Sequence, residues 1–293
     1  MIDSYYNNIK NKFLKKFNEL GNENEKKELE MHSFIEQNPV CLVGVVSNSD
    51  VHSYYILGNC IFSKINIGTW ERRQPDFIII TYNSIEITFH FIEIEAPNRS
   101  IFTESNDFTS DFNHAFTQLE DWNRIFPNNR QEMTRLMVAS NFSDLGVYNG
   151  SRAIRSNYIL VYGSSRDYEN NLIRKLKLSE KFANKDSFHF MSYDRLIRNF
   201  YYERGMFTLK YDTNTGAFKA VGWSPFLKYN LERRRAFGKI NLKQEIIEKS
   251  SLITDEQKKS LIKQIDELDR ESIQKLNEND MGISLMDSFD DNL

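Results

Sequence analysis

The sequence predicts an α/β protein, in which a mixed β-sheet is flanked by helices and followed by a smaller, mostly helical C-terminal unit. Two segments, 5–36 and 107–125, repeat apolar residues mainly at three- and four-residue intervals, as amphipathic helices do. Between them lie several runs rich in β-branched and aromatic residues, which are typical of strands. A further strand-like run at 157–163 precedes a charged amphipathic segment, so helices and strands follow each other along the chain.

The composition is that of an ordinary globular protein of 293 residues, with 40% hydrophobic and 27% charged residues. It excludes the collagenous, disordered and disulfide-scaffold classes, and the length allows two domains or one large domain with an appendage. The 38 basic and 41 acidic residues give a net charge of −3. A nucleic-acid partner would therefore need a local basic patch.

The first half of the chain should form a helical region and then a strand-rich one. The helical segment 5–36 breaks at 21–22 and ends at 38–39, where Asn and Pro stop it. A turn is expected at 83–84. The strand signals lie at 40–46, 54–62, 64–70, 75–81 and 85–95.

The second half should alternate helices with strands and end in helices. Helices are predicted at 107–125, 167–178, 194–202, 239–249 and 255–276, and strands at 157–163, 188–191, 207–211 and 218–221. We expect four parts: an N-terminal helix at 1–23, the main α/β domain at 24–204, a hairpin with helices at 205–276, and an acidic tail without Lys or Arg at 277–293.

Nothing in the sequence indicates a membrane or secreted protein. The longest apolar runs are far shorter than the roughly 20 residues of a membrane helix, and the first residues lack a secretory signal pattern. Cys41 and Cys60 both lie in apolar segments, which favours a buried, reduced pair. We therefore expect a cytoplasmic protein without a membrane partner.

Acidic side chains gather on the strands at 75–81 and 85–95. A hairpin that turns near residue 83 brings Asp76 close to the position opposite Glu93. Glu93 and Glu95, two residues apart on one strand, share a face with Phe91. Like charges at close range repel and raise each other's pKa, and a divalent cation removes that penalty, since carboxylates are ligands that Mg²⁺ or Mn²⁺ prefers. The alternative is that the two glutamates face solvent and Asp76 simply begins a strand.

Several phrases in order resemble the Shedu family of bacterial anti-phage defence nucleases. The order of segments also resembles the core of the PD-(D/E)xK, or restriction-endonuclease-like, nucleases. The likeness covers roughly residues 24–200. The phrases are ELEMHSFIEQNP at 28–39, QPDFIII at 74–80, FIEIEAPN at 91–98, QLEDW at 118–122 and ILVYG at 159–163.

This resemblance implies a metal-dependent DNA endonuclease or nickase of bacterial anti-phage defence with a restriction-endonuclease-like domain at 24–204. Asp76, Glu93 and the backbone carbonyl of Ile94 would bind Mg²⁺, or alternatively Mn²⁺. Glu95 stands where the family usually carries Lys, so no lysine ammonium offsets charge there and the site should depend on metal even more than usual. Glu95 would hold a second metal or its water, or accept the proton of the water.

Two further residues gain roles from the resemblance. Gln118 matches a glutamine that the family carries on the helix after the motif, and it would orient water or contact the scissile phosphate. Glu28 would line the site from the first helix. The alternatives are a surface helix glutamine for Gln118 and a solvated helix charge for Glu28.

Basic residues near the motif and in the stretch 228–243 are candidates for DNA contact. The alternative for 228–243 is a solvated linker or a subunit contact. The candidate arginines are Arg72, Arg73, Arg99, Arg233, Arg234 and Arg235.

The resemblance implies duplex DNA or duplex ends as partner, and a homo-oligomer for which a tetramer is the expected size. Two other functions remain open. A non-catalytic DNA-binding module that keeps the nuclease fold would account for Glu95 in place of Lys. A regulatory interaction protein without a nucleic-acid role would fit the net charge of −3. The five histidines show no zinc-site spacing, and no Gly-rich phosphate loop indicates ATP use.

Overall fold

The computed structural model describes residues 2–19, 26–46, 54–65, 74–139, 142, 147, 150–183, 185–200, 206–212, 217–223, 255–256, 259 and 263. The helices are α1 (Ile2–Glu19), α2 (Lys26–Gln37), α3 (Ser110–Thr134), α4 (Leu172–Ala183) and α5 (Tyr193–Arg198). The strands are β1 (Tyr55–Ser63), β2 (Phe77–Tyr82), β3 (Glu86–Ile94), β4 (Ala153–Val161), β5 (Phe188–Met191), β6 (Phe207–Asp212) and β7 (Ala217–Trp223).

The strands form one seven-stranded mixed sheet in the order β5-β4-β3-β2-β1-β6-β7. The prediction of an α/β protein with a mixed sheet is confirmed. Strands β2 and β3 form the predicted antiparallel hairpin, and Oδ1 of Asn83 closes its turn by accepting hydrogen bonds from the backbone N–H groups of Ile85 and Glu86. Strand β4 lies parallel to β3, and β5 lies parallel to β4.

Two apolar layers cover the sheet, because the central strands present side chains alternately to each face. Phe89 and Phe91 of β3 pack on one face with Phe126 of α3. Ile92 and Ile94 point to the opposite face, where α1, α2 and α5 supply the packing partners. The alternation predicted for β3 is therefore confirmed, and Glu93 shares the α3 face with Phe91.

The hairpin of β6 and β7 extends the main sheet through parallel pairing of β6 with β1. The sequence interpretation groups this hairpin with the C-terminal helices, whereas the structure joins it to the central strands. Glu36 of α2 reinforces this edge: its Oε1 accepts a hydrogen bond of 2.6 Å from Oγ of Ser63 and lies 3.3 Å from Nζ of Lys210.

The strand predicted at 40–46 is wrong, because Pro39–Val45 forms a short 3₁₀ helix in which every residue is buried. A continuous apolar run does not distinguish a buried strand from a buried helical turn by periodicity. Pro39 lies at the start of this helix, a position where proline's missing N–H and fixed φ are favourable.

The boundaries of α3 and α4 also differ from the predictions. Helix α3 begins at a Thr109 cap, whose side chain accepts a hydrogen bond from Phe112 N, and continues through Pro127, beyond the predicted end. Helix α4 begins later than predicted because Asn171 caps it at Arg174 N.

Some predicted elements lie outside the described residues: most of the strand at 64–70, the helix at 239–249, most of the helix at 255–276 and the tail at 277–293. Cys41 and Cys60 are both buried free thiols, as predicted. Within the described part of the chain, no helix combines the length and apolar character needed to cross a membrane.

Candidate active site

The β2–β3 hairpin brings Asp76 and Glu93 to the same end of the sheet. Phe77 pairs with Ile92, and one further step of this register places Asp76 opposite Glu93. Oδ2 of Asp76 accepts a hydrogen bond of 3.0 Å from the backbone N–H of Ile94. Asp76 is thereby fixed across the hairpin beside Glu93, as the sequence interpretation proposed.

The three carboxylates of this cluster are buried. Asp76 and Glu93 are each 9% exposed, and Glu95 is 5% exposed. Burial is the main cause that raises the pKa of Asp76 to about 7 and that of Glu95 to about 8. Burial also raises the pKa of Glu93, and the charges of Asp76, Glu95 and Glu28 raise it further. Without a bound cation, this arrangement favours protonated carboxyl groups.

Glu93 has an oxygen without a partner. Its Oε2 atom is buried and accepts no hydrogen bond from the described residues. Buried polar atoms in proteins are nearly always paired, so an orphaned carboxylate oxygen calls for a ligand, a water or a proton. The alternative of a solvent-facing glutamate does not hold for Glu93.

Arg99 joins the cluster from the loop after β3. Its Nη1 lies 2.9 Å from Oε2 of Glu95 and 3.8 Å from Oδ2 of Asp111, and its Nη2 lies 3.7 Å from Oε2 of Glu28. The Arg99 guanidinium lowers the pKa of Glu95, opposing the effect of burial and of Glu28. A cation therefore offsets part of the charge at Glu95, although the sequence carries no lysine at that position.

Glu28 lies beside this cluster, and 37% of its side chain is exposed. It reaches Arg99 from α2, and its charge raises the pKa of Glu95 and Glu93. Gln118 lies on α3, the helix that covers the Glu93 face of the sheet. Its Oε1 is buried without a hydrogen-bond partner, and no hydrogen bond joins it to the carboxylates of the described residues.

Two further residues of the cluster, His32 and Lys64, were not predicted from the sequence. Nε2 of His32 lies 3.7 Å from Oδ1 of Asp76, and Nζ of Lys64 lies 4.0 Å from the same oxygen. Burial, followed by the Lys64 charge, lowers the pKa of His32 to about 4, so its imidazole is neutral at pH 7. The spacing of four residues between Glu28 and His32 places both on one face of α2, a signal that could have indicated His32.

No comparable sequence spacing indicates that Lys64 belongs to the cluster. It follows β1 immediately, and the pairing of Ser63 with Phe77 brings it beside Asp76. Its backbone N–H donates to the carbonyl of Asp76 over 3.1 Å. Only the register between two strands, distant in the sequence, places this ammonium at the cluster.

The donor set is limited to carboxylates and backbone. Among the described residues, no three His, Cys, Asp or Glu side chains are grouped closely enough to form a metal site by themselves. Two carboxylates with a backbone carbonyl could still hold a hard cation that keeps several waters, as Mg²⁺ commonly does. These groups are the carboxylates of Asp76 and Glu93 and the backbone carbonyl of Ile94. The unpaired Oε2 of Glu93 is suited to bind such a cation.

The remaining candidates for DNA contact lie outside the described residues. These are Arg72, Arg73, Arg233, Arg234 and Arg235. Arg99 is the described member of that group, and its nearest partners are the carboxylates.

Comparison with known proteins identifies the family. No curated protein matches the chain. A family model described as "Shedu protein SduA, C-terminal" matches residues 25–197, which is more than half of the chain and includes α2, the β2–β3 hairpin, α3 and β4. The chain therefore belongs to the Shedu family.

Proposed function

We propose that this protein is a metal-dependent DNA endonuclease or nickase of anti-phage defence. Membership of the Shedu family implies anti-phage defence. The observation that carries the nuclease proposal is the buried Oε2 of Glu93, which has no hydrogen-bond partner among the described residues and lies in a cluster of mutually repelling carboxylates. The restriction-endonuclease-like type of fold is part of the same proposal.

The cluster is unfavourable without a compensating positive charge. Removing carboxylates from water favours their neutral form, and each neighbouring negative charge adds to that effect. Asp76, Glu93 and the carbonyl of Ile94 would hold Mg²⁺ or Mn²⁺. When bound, the cation lowers the pKa of a coordinated water and neutralises charge that develops on the phosphate.

The other residues would act on water and phosphate. Glu95, held by Arg99, would accept the proton of the attacking water or position that water. Gln118 would orient the water or contact the scissile phosphate through its side-chain amide, whose Oε1 is buried. Lys64, close to Asp76, offers an ammonium at the same end of the sheet.

Plasmid nicking with a matched pair of variants tests the proposal. Glu93→Gln keeps the size of the side chain but removes the carboxylate, so nicking in Mg²⁺ or Mn²⁺ should be abolished while the fold is retained. Glu132→Gln is the control, because Glu132 is an exposed glutamate of α3 that pairs with Arg135. Nicking by the Glu93→Gln variant at the wild-type rate would refute the assignment.

One alternative has specific support. Glu95 in place of the usual Lys, together with the absence of a three-side-chain metal group among the described residues, would suit a non-catalytic DNA-binding or regulatory protein that keeps the fold. Such a protein would cut no DNA across a range of Mg²⁺ and Mn²⁺ concentrations. Its affinity for duplex DNA would show whether nucleic acid is a partner.

Assembly is a separate proposal. The family resemblance implies a homo-oligomer, with a tetramer as the expected size. Light scattering coupled to size-exclusion chromatography would measure the mass of the assembled protein, and a monomer at all concentrations would contradict this proposal.

A further inference from the structure

A polar cleft lies next to the carboxylate cluster. It has a volume of about 410 Å³ and is built by two loops and by the C-terminal end of α1. One loop, 97–100, follows β3, and the other, 164–167, follows β4. Since β3 and β4 are parallel neighbours, the cleft opens outside their carboxyl ends, a common place for ligands in α/β sheets.

The two loops are tied to each other. Oδ2 of Asp167 accepts hydrogen bonds from the backbone N–H groups of Ile101, at 2.5 Å, and Phe102, at 3.1 Å. Gly163 has φ +56°, and a Cβ atom there would lie 2.7 Å from the carbonyl oxygen of Arg99. The walls of the cleft are therefore preformed, which lowers the entropy cost of binding a ligand.

The charges in the cleft favour an anion. Nη1 of Arg174 lies 2.7 Å from Oδ1 of Asp167 and neutralises the acidic side chain among the lining residues. Arg166 is exposed, and its guanidinium makes no ion pair or hydrogen bond with another described residue. Asn18, Asn98, Ser100 and Ser164 supply polar groups around it. Guanidinium, amide and hydroxyl groups are common partners of DNA phosphates.

Arg99 connects the cleft to the proposed chemistry. It lines the cleft, and its Nη1 lies 2.9 Å from Oε2 of Glu95. A strand that passes the carboxylates would therefore place a neighbouring phosphate near Arg166. One uncompensated cation matches the single charge of an internal phosphodiester better than a terminal phosphate, which carries about −1.5 to −2 at pH 7.

We propose that the cleft between loops 97–100 and 164–167 binds an internal phosphodiester of the DNA strand that the carboxylates cut, with Arg166 as a positioning residue. This inference rests on the proposed nuclease function for the identity of the strand. It assigns to the cleft a role separate from metal binding and water activation.

Equilibrium binding tests the cleft independently of cleavage. The probe is a fluorescent duplex of about 20 base pairs, measured by anisotropy with Ca²⁺ in place of Mg²⁺ across a salt series. Arg166→Ala should weaken binding about five- to tenfold and lower the salt slope by about one, and Arg166→Lys should retain most of the affinity. Arg135→Ala is the control, since this exposed arginine lies at the far end of α3, roughly 36 Å from Asp111 at 1.5 Å per residue.

Chemical replacement of single phosphates identifies the bound group. A neutral methylphosphonate at one internal position of the cut strand should weaken binding by the wild type but not by the Arg166→Ala variant, a non-additive double-mutant cycle. In steady-state nicking, Arg166→Ala should raise KM by a larger factor than it lowers kcat. The inference would be overturned if the methylphosphonate and Arg166→Ala had additive effects on binding at every internal position. It would also be overturned if only replacement of a terminal phosphate affected binding.

The outcomes separate this inference from the proposed function. If the wild type nicks DNA and Arg166→Ala binds the duplex equally well, the nuclease proposal stands and the cleft proposal fails. If the wild type binds but never nicks, while Arg166→Ala binds more weakly with the expected cycle, the cleft holds DNA and the nuclease proposal fails. If the wild type does not bind the duplex, both proposals fail.

Discussion

The guanidinium of Arg99 lies 2.9 Å from the carboxylate of Glu95, two residues after Glu93. The positive charge that the sequence lacks at position 95 is thus supplied from four residues further along the chain. Because the same guanidinium also approaches Glu28 and Asp111, it ties the ends of α2 and α3 to the loop after β3.

Removal of Arg99 should change the pH dependence of nicking. The Arg99 charge lowers the pKa of Glu95, so Arg99→Met should raise that pKa further. If Glu95 accepts a proton, the acidic limb of the rate profile should move to higher pH by about one unit or more. Nicking rates between pH 5.5 and pH 9.5 would measure the shift. The control is Arg124→Met on the exposed surface of α3, and an unmoved limb would exclude Glu95 as the base.

The metal-free protein should lose stability as the pH rises. The carboxyl groups of Asp76 and Glu95 have ordinary pKa values of 3.8 and 4.5, which rise to about 7 and about 8 in the folded protein. Between those limits, the folded state binds more protons than the unfolded state, so the free energy of unfolding falls with increasing pH. The contribution of these two groups should be highest below about pH 4 and should fall as the pH rises to about 8.

Mg²⁺ should reverse that loss. A cation bound to ionised Asp76 and Glu93 stabilises the folded state by about 1.4 kcal/mol for each tenfold excess over its dissociation constant. Calorimetric melting at pH 8 with and without Mg²⁺ measures the effect. Glu93→Gln should reduce both the pH dependence and the stabilisation by Mg²⁺, whereas Glu132→Gln should leave them unchanged. A melting temperature at pH 8 that does not respond to Mg²⁺ would contradict metal binding.

Lys64 should weaken cation binding while it assists the phosphate. Its ammonium lies 4.0 Å from Asp76, and its side chain is 37% exposed. Lys64→Met should tighten Mg²⁺ binding about fivefold. Two unit charges about 4 Å apart, such as those of Lys64 and Asp76, interact with an energy of roughly 1 kcal/mol in water, and this interaction competes with the cation for Asp76. Titration calorimetry would measure the affinity, with Lys12→Met on the exposed face of α1 as control. We also expect nicking to slow by about tenfold or more, and weaker Mg²⁺ binding would refute this account.

Gly163 should be needed for the position of the Arg99 loop. Gly163→Ala combines a left-handed backbone with a Cβ atom 2.7 Å from the Arg99 carbonyl. Gly150→Ala is the matched control, because Gly150 also has positive φ, at +79°, but beyond its chain neighbours no atom of the described residues lies within 4 Å of the added Cβ. Each change should cost about 1–2 kcal/mol of unfolding free energy from the backbone conformation, and Gly163→Ala should cost more and also impair nicking. Equal losses in chemical denaturation would show that the close approach has no effect.

The strands around the cluster could be predicted because their signals are local. Alternation in β3 separates Ile92 from Glu93, and the turn at Asn83 sets the register that brings Asp76 opposite Glu93. The 3₁₀ helix at Pro39–Val45 could not be predicted in this way, because a fully buried run has no polar side that reveals its period.

The cations of the cluster depend on contacts that the sequence does not display. Lys64 reaches Asp76 through the pairing of β1 with β2, and Arg99 reaches Glu28 from a segment 71 residues later in the chain. Such contacts follow from the register of strands and the packing of helices, neither of which is encoded within a short window of residues. Charge partners were therefore the least predictable part of the site.

The parallel pairing of β1 with β6 has a consequence for shortened forms of the protein. Strand β6 lies beyond the residues that match the family model, yet it occupies one side of β1 at Cys60, Ile61, Phe62 and Ser63. A chain that ends at residue 200 would leave the backbone N–H and C=O groups on this side of β1 without hydrogen-bond partners and would expose apolar side chains of β1. An unpaired edge strand can form hydrogen bonds with other chains. The truncated protein should therefore aggregate during expression, although it retains every carboxylate of the cluster.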